Sequence, residues 1–186
     1  MKRLIDFIVA ASLLAISLPL LLGLALAVRI TSPGTILFKT TRVGRKNNYF
    51  VMYKFRTMRM DAPQVATHLM SDPAAFLTPL GGFLRKTSLD ELPQLINVIK
   101  GEMSLVGPRP ALFNQDDLIS LRTHAGVDSL LPGITGWAQV NGRDELPIAV
   151  KVDYDAFYLQ HQSFLLDLQI LGLTVIRVFS RDGVSH

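Results

Sequence analysis

Cysteine is absent from this 186-residue chain, which excludes a disulfide framework and any thiol nucleophile. Histidine is scarce: His68, His124, His161 and His186 are scattered without the spacing of metal ligands, so nothing points to a histidine-based metal centre. Internal repeats and low-complexity tracts are missing as well. Charge is missing altogether between Phe7 and Val28.

The residues that are there point to a membrane. Hydrophobic types make up 49% of the chain and the mean hydropathy is +0.32. The formal net charge is +4 and the pI about 9.6, a balance that suits anionic partners such as lipid headgroups, nucleotides or phosphates. The length allows one domain with a proper core, with room for an appendage.

The uncharged run "FIVAASLLAISLPLLLGLALAV" would reach roughly 33 Å as a straight helix, against a hydrocarbon core of about 30 Å. Length therefore favours a single spanning helix. Lys2, Arg3 and Ala25-Leu26-Ala27 have the look of a signal peptide, but the run exceeds an ordinary signal core. A third reading is a hairpin that enters and leaves by one face. Basic residues flank both ends (Lys2 and Arg3 before; Arg29, Lys39, Arg42, Arg45 and Lys46 after), which would keep both in the cytoplasm. Pro19, mid-run, would kink a helix.

Downstream, "TILFKTT" and "YFVMYKFRT" are rich in β-branched and aromatic residues and are separated by "RVGRKNN", which predicts a β-hairpin. Met60 to Ser71 gives a poor signal, a short helix or a mobile loop. "TPLGGFLRKT" starts a helix with Leu80, Phe83 and Leu84 on one face. A second helix carries Leu92, Leu95, Ile96 and Ile99 at helical spacing and stops at Gly101. "LVGPRPAL" reads as a rigid turn, "LPGITGWAQVNGR" as a Gly-rich loop, and Leu146 to His161 as a helix. The last apolar stretch, "SFLLDLQILGLTVIRVF", contains Asp167, Gln169 and Arg177, so it suits an interfacial or core helix better than a spanning one.

Asp90 and Glu91, in "KTSLDELPQLINVIKG", stand at that second helix start. Ser88 and Glu91 fit a capping box, yet Pro93 would then cost a helical bond; with Asp90 as cap, Pro93 falls in the first turn. Arg85 and Lys86 lie just upstream. Arg109 is clamped between Pro108 and Pro110, and its planar fork suits phosphate. Lys54, Arg56 and Arg59 follow the second strand. Any one of these arginines could equally form an ordinary surface ion pair. Together they could gather a pyrophosphate, with a divalent ion such as Mg²⁺ relieving the repulsion between phosphate and carboxylate. One carboxylate would then be free to attack phosphorus. Trp137, the single tryptophan, could stack on a base, with Gln139 and Asn141 offering amide edges and Arg143 a charge. A buried tryptophan in a Gly-rich turn fits as well.

The combination of "SLDELPQLINVIKGEMSLVGPRP", "LPGITGWAQVNGR", the upstream "YKFRTM" and an apolar N-terminus resembles the small monotopic phosphoglycosyl transferases of bacteria, over nearly the whole chain. Members transfer a phospho-sugar from a UDP-sugar to a polyprenol phosphate such as undecaprenyl phosphate, releasing UMP, with Mg²⁺. The resemblance implies a mainly helical α+β fold: a re-entrant membrane helix-break-helix over 1–30, then a catalytic domain over 31–186 with a small β-hairpin and amphipathic helices at the interface. It places the protein on the cytoplasmic face of the bacterial inner membrane, on its own short anchor, with no nucleic-acid partner. Pro19 falls at the family's helix-breaking Ser-Pro, although here Leu18 precedes it and Ser17 stands one place early. By resemblance Asp90 is the nucleophile, Glu91 helps to hold Mg²⁺, Arg85 and Arg109 steady phosphates, and Asp155 belongs to the site. Lys54 and Arg56 join the phosphate set, and the loop of Trp137, Gln139, Asn141 and Arg143 lies near the nucleotide. Two rivals stay open: a membrane-anchored phosphohydrolase with water as acceptor, and a non-catalytic lipid-binding module. The transferred sugar, the glycan it enters and the oligomeric state are not legible.

Overall fold

The computed structural model describes residues 1–63, 72–142 and 146–180. Helix α1, Lys2–Thr31, is followed by the antiparallel strands β1, Leu37–Val43, and β2, Tyr49–Phe55. Short helices α2, Gly81–Lys86, and α3, Gln94–Lys100, lead to strand β3, Ser104–Val106. Then come α4, Asp116–His124, strand β4, Gly133–Thr135, the single turn α5, Trp137–Val140, and two longer helices, α6, Ile148–His161, and α7, Phe164–Ser180. The mainly helical α+β architecture and the small hairpin are as the sequence predicts. Residues 64–71 of the weak Met60–Ser71 segment lie outside the described residues.

The hairpin pairs Leu37 with Phe55 through Val43 with Tyr49. Phe50, Met52 and Phe55 turn inward on β2. A buried asparagine completes its edge: the Asn97 side chain accepts from the Tyr53 amide at 3.2 Å and donates to the Val51 carbonyl at 2.7 Å. That stitches α3 to β2 and holds the start of α3 beside Lys54.

Helix α1 runs through Pro19 without the break expected from the sequence. Asp6, Ala10, Leu21 and Val28 are buried, with Leu14 and Leu24 partly so, a stripe at helical spacing. Ala10 packs in one apolar cluster with Val98, Val106 and Ile170, while Leu21 and Val28 pack in another with Phe55 and Leu84. A proline in a helix interior costs about 3 kcal/mol and a buried leucine recovers roughly 1.5–3, so this stripe is enough to keep the helix continuous through Pro19. Ser17 donates to the Leu13 carbonyl at 2.6 Å, leaving the Ala15 carbonyl that Pro19 frees to other partners.

Both ends of α1 are fastened to the same body. At the start, Lys2 pairs with Asp167 of α7 at 2.6 Å and Ser104 of β3 donates to Asp6 at 2.8 Å. At the end, Arg56 donates to the side chain and carbonyl of Ser32, both at 2.9 Å. The outer face of α1 is apolar and exposed, at Ile8, Ile16, Leu22, Leu26 and Ile30. By length and composition α1 could cross a membrane. Helix α7 is likewise two-faced, burying Ile170 and exposing Phe164, Leu165, Leu168 and Ile176.

The "LPGITGWAQVNGR" segment is more ordered than a loop. Its Gly133–Thr135 stretch is a strand parallel to β3, with Ser104 opposite Gly133 and Val106 opposite Thr135. A Cβ on Gly133 would sit 2.1 Å from the Gly107 nitrogen, so glycine is what permits the approach. The partner strand is nearly thirty residues away, which is why local signals miss it.

Candidate active site

Asp90 and Glu91 do not cap a helix. They occupy a separate turn of 3-10 helix, Leu89–Glu91, one step before α3, and neither Ser88 nor Pro93 makes a side-chain cap. Ser88 holds φ +55°, a left-handed conformation unusual for a residue with a side chain. It reverses the chain so that both carboxylates line a cleft of about 1620 Å³.

Charged and apolar side chains both line the cleft. Around the acidic pair, Lys54 Nζ lies 2.6 Å from Glu91 Oε1 and Arg109 Nη1 lies 3.4 Å from the same oxygen. Arg85 is set by its Nε donating to Thr57 Oγ1 at 3.0 Å. The turn that places it needs glycine: a Cβ on Gly81 would meet the Thr57 carbonyl oxygen at 2.0 Å. Helix α7 lines the cleft with Leu171, Thr174, Val175, Arg177 and Val178, and α1 with Leu13, Ser17 and Arg29.

The two adjacent carboxylates differ sharply. Asp90 is buried and accepts no hydrogen bond among the described residues. Burial pushes its carboxyl up to about 6; Lys54 pulls it down, Glu91 pushes it up, and Arg85 and Arg109 pull it down further. Burial also opposes charge on Glu91, but Lys54 and Arg109 outweigh it and bring the pKa to about 2. Asp90 is thus ionised at neutral pH yet more basic than an ordinary aspartate, which suits a nucleophile. Glu91 stays a fixed anion.

No cluster of three or more acidic, histidine or cysteine side chains that could hold a metal is present among the described residues. Mg²⁺ does not need one, since it is often held by one or two carboxylates plus substrate phosphates. The Asp90 carboxylate and Glu91 Oε2, which no described residue bonds, fit that donor set.

The other residues singled out in the sequence divide. Lys54, Arg85 and Arg109 come together with the pair. Arg56 does not join them as a phosphate ligand: it is buried, and its guanidinium is used up on Ser32 and on the Thr35 carbonyl at 2.6 Å. Trp137 stacks on Phe157 with centroids 5.5 Å apart, and Phe157 stacks on His161 at 4.2 Å. Gln139 lines the cleft and neither of its buried amide atoms is bonded. Asn141 donates to the Trp137 carbonyl at 2.8 Å. Arg143 lies outside the described residues. Asp155 is not beside Asp90; it is buried on α6 and paired at 2.5 Å with Arg122 of α4. Sequence reasoning passed over Arg122, which in "LISLRTH" looks like any solvated helix charge, and Asn97, whose polar side chain hides among apolar neighbours.

Comparison with known proteins gives the family. The family model described as bacterial sugar transferase matches residues 1–181. The chain is 42% identical over 188 residues to an uncharacterized sugar transferase, EpsL, of Bacillus subtilis, covering all of this chain and 91% of that protein. It is 40% identical to the UDP-glucose:undecaprenyl-phosphate glucose-1-phosphate transferase of Escherichia coli, over 96% of this chain but only 40% of the relative. A UDP-N-acetylgalactosamine-undecaprenyl-phosphate N-acetylgalactosaminephosphotransferase of Aeromonas hydrophila is 34% identical over 98% of this chain and 44% of its own length. With the acidic turn, the cleft and a match along nearly its whole length, the chain belongs to the bacterial sugar transferase family.

Proposed function

We propose that this protein transfers a phospho-sugar from a UDP-sugar to undecaprenyl phosphate, releasing UMP, through a covalent intermediate on Asp90. The observation that carries the reading is the Asp90 carboxylate: buried, unbonded, raised in pKa and facing a cleft ringed by Lys54, Arg85 and Arg109. Such a group costs stability, and functional sites are where that cost is tolerated.

In the first step an Asp90 oxygen attacks the sugar-bearing phosphorus of the donor. The new O–P bond forms as the bond to the bridging oxygen breaks, and UMP departs with that electron pair. In the second step a phosphate oxygen of the lipid attacks the same phosphorus. The acyl phosphate bond breaks, the Asp90 carboxylate is restored, and the product is a lipid diphosphate sugar. Arg109 and Arg85 take up charge on the phosphates, and Lys54 holds Glu91 in place. Mg²⁺, when bound through Glu91 and Asp90, would neutralise the donor's diphosphate.

The membrane placement has its own support. A helix whose two ends grip one domain, with an apolar face turned outward, suits a segment embedded from one side. A spanning helix would carry its ends to opposite surfaces. The charged residues around Asp90 would then meet water-borne donor, and the exposed apolar faces of α1 and α7 the lipid, on the cytoplasmic face. Because the chain has no cysteine, a cysteine-bearing tag ahead of Met1 and Lys39→Cys can be labelled separately. Both should react from the cytoplasmic side, and labelling from opposite sides would overturn the one-sided placement.

The decisive experiment is UMP release by detergent-solubilised protein given Mg²⁺, undecaprenyl phosphate and a panel of UDP-sugars. Release with one sugar, dependent on lipid and lost in Asp90→Asn, supports the transferase. Release indifferent to lipid would instead identify a phosphohydrolase. Full activity of folded Asp90→Asn would sink the covalent step.

A further inference from the structure

Arg122 lines the cleft and is paired with the buried Asp155. Arg122 Nε and Nη2 both donate to Asp155 Oδ2, at 2.9 and 2.5 Å. The remaining arm of the fork, Nη1, donates to the main-chain carbonyl of Arg109 at 2.7 Å. The pair bridges helices α4 and α6, and its third bond leaves both helices for the loop that carries the phosphate-facing arginine.

That loop is stiff in all but one respect. Pro108 and Pro110 have fixed φ, and a residue before proline is confined to extended conformations. Its flanks are held, with the Gly133 amide donating to the Pro108 carbonyl at 2.9 Å and Arg42 to the Pro110 carbonyl at 3.2 Å. The freedom that remains is the φ of Arg109, which swings its side chain and its carbonyl together relative to the rest of the loop. Arg122 grips that carbonyl. A guanidinium set flat by a buried carboxylate is a rigid donor and fixes the direction of its third N–H.

We propose that Arg122, oriented by Asp155, is a positioning residue that sets the backbone of Arg109 and so presents the Arg109 guanidinium to the donor's phosphates. Neither residue touches the reacting atoms. This rests on the reading that Arg109 faces phosphate in the transferase reaction. It also gives Asp155, which the resemblance placed in the site, an indirect role there.

The test uses the full chain with Arg122→Met/Asp155→Leu, which removes both charges and so leaves neither buried alone. Hydrogen exchange in the 107–113 segment should quicken about tenfold, with α3 unchanged, since only the loop loses a bond. The KM for the UDP-sugar should rise about tenfold while kcat stays within about threefold, the pattern of lost ground-state binding. Arg109→Ala alone should raise KM similarly, and adding the double change to it should do nothing more, because residues acting through one group are not additive. Multiplying effects, or an unchanged KM and unchanged exchange, would overturn the proposal. Should the double variant fail to fold, Arg122→Lys keeps the charge towards Asp155 but loses the third arm. It should show the same KM rise, and a wild-type KM there would also overturn the proposal. If the wild-type protein releases no UMP, the proposed function falls, while exchange in 107–113 still supports or overturns the pinning of Arg109.

Discussion

Two buried aspartates, Asp90 and Asp155, are each linked to Arg109, and they are treated in opposite ways. Asp155, 1% exposed, takes two N–H donors from Arg122. Asp90, 7% exposed, takes none. Burial raises both carboxyls, and arginine or lysine charges pull against it at both. The difference is in bonding. At Asp155 the charge is consumed by a partner that belongs to the fold; at Asp90 several cations stand near but are aimed at Glu91, at Thr57 or into the cleft. A buried charge with its own partner is structure, and a buried charge with no bond among the described residues is a candidate for chemistry.

The largest effect separating them should be on rate. Asp90→Asn should abolish lipid-dependent UMP release, a loss of at least about a thousandfold for a missing nucleophile, with the protein still folded. Asp155→Ala should act chiefly on stability: it strands the Arg122 guanidinium, and breaking a buried pair from one side costs about 3–5 kcal/mol. Thermal melting in detergent checks both.

The same comparison has a pH signature of opposite sign to the usual carboxylate. An acid whose pKa rises on folding, as for Asp90 from 3.8 to about 6, binds more protons folded than unfolded. Stability is therefore lost as pH climbs through that window, and the cost is complete above it. Asp90→Asn should stabilise the protein by about 2–3 kcal/mol at pH 7.5 in EDTA, the order expected for a two-unit shift, and by little at pH 4. A variant that melts no later than wild type at pH 7.5 would remove the claim that Asp90 is held at a cost. Lys54→Met should move the acid limb of the rate profile to higher pH, since Lys54 is the strongest charge holding the Asp90 pKa down.

The smallest effect sharpens the contrast on the cationic side. Arg56→Met should cost about 1–3 kcal/mol by unbonding Ser32 and the Thr35 carbonyl, seen in melting and not in the donor's KM. Arg56 and Arg109 looked alike in the sequence, two arginines in motifs that suit phosphate. One proved to be a clasp on the end of α1 and the other stands beside the acidic pair.

Much of this molecule was legible because its signals are local. Alternation and β-branching marked β1 and β2, and helical spacing of Leu92, Leu95, Ile96 and Ile99 marked α3. The uncharged run ahead of Arg29 marked α1, and the acidic pair with its flanking motifs marked the site. The β3–β4 pair was not legible, because three-residue strands carry no period and owe their form to glycines that let two distant backbones touch. Nor was the continuity of α1 past Pro19, which depends on a stripe from Asp6 to Val28 finding partners in α3, β2 and α2.

What the sequence by itself determined, then, was which segments form and which residue types could perform phosphoryl transfer. Tertiary structure alone decided which charges are paired and which are left for a ligand. It gave Asp155 to Arg122, Arg122 to the backbone of Arg109, and Arg56 to Ser32, and it left Asp90 unbonded. The reason is range: a backbone conformation is set by neighbours a few residues away, whereas a buried charge is satisfied or not by groups that only the folded chain brings within about 3 Å.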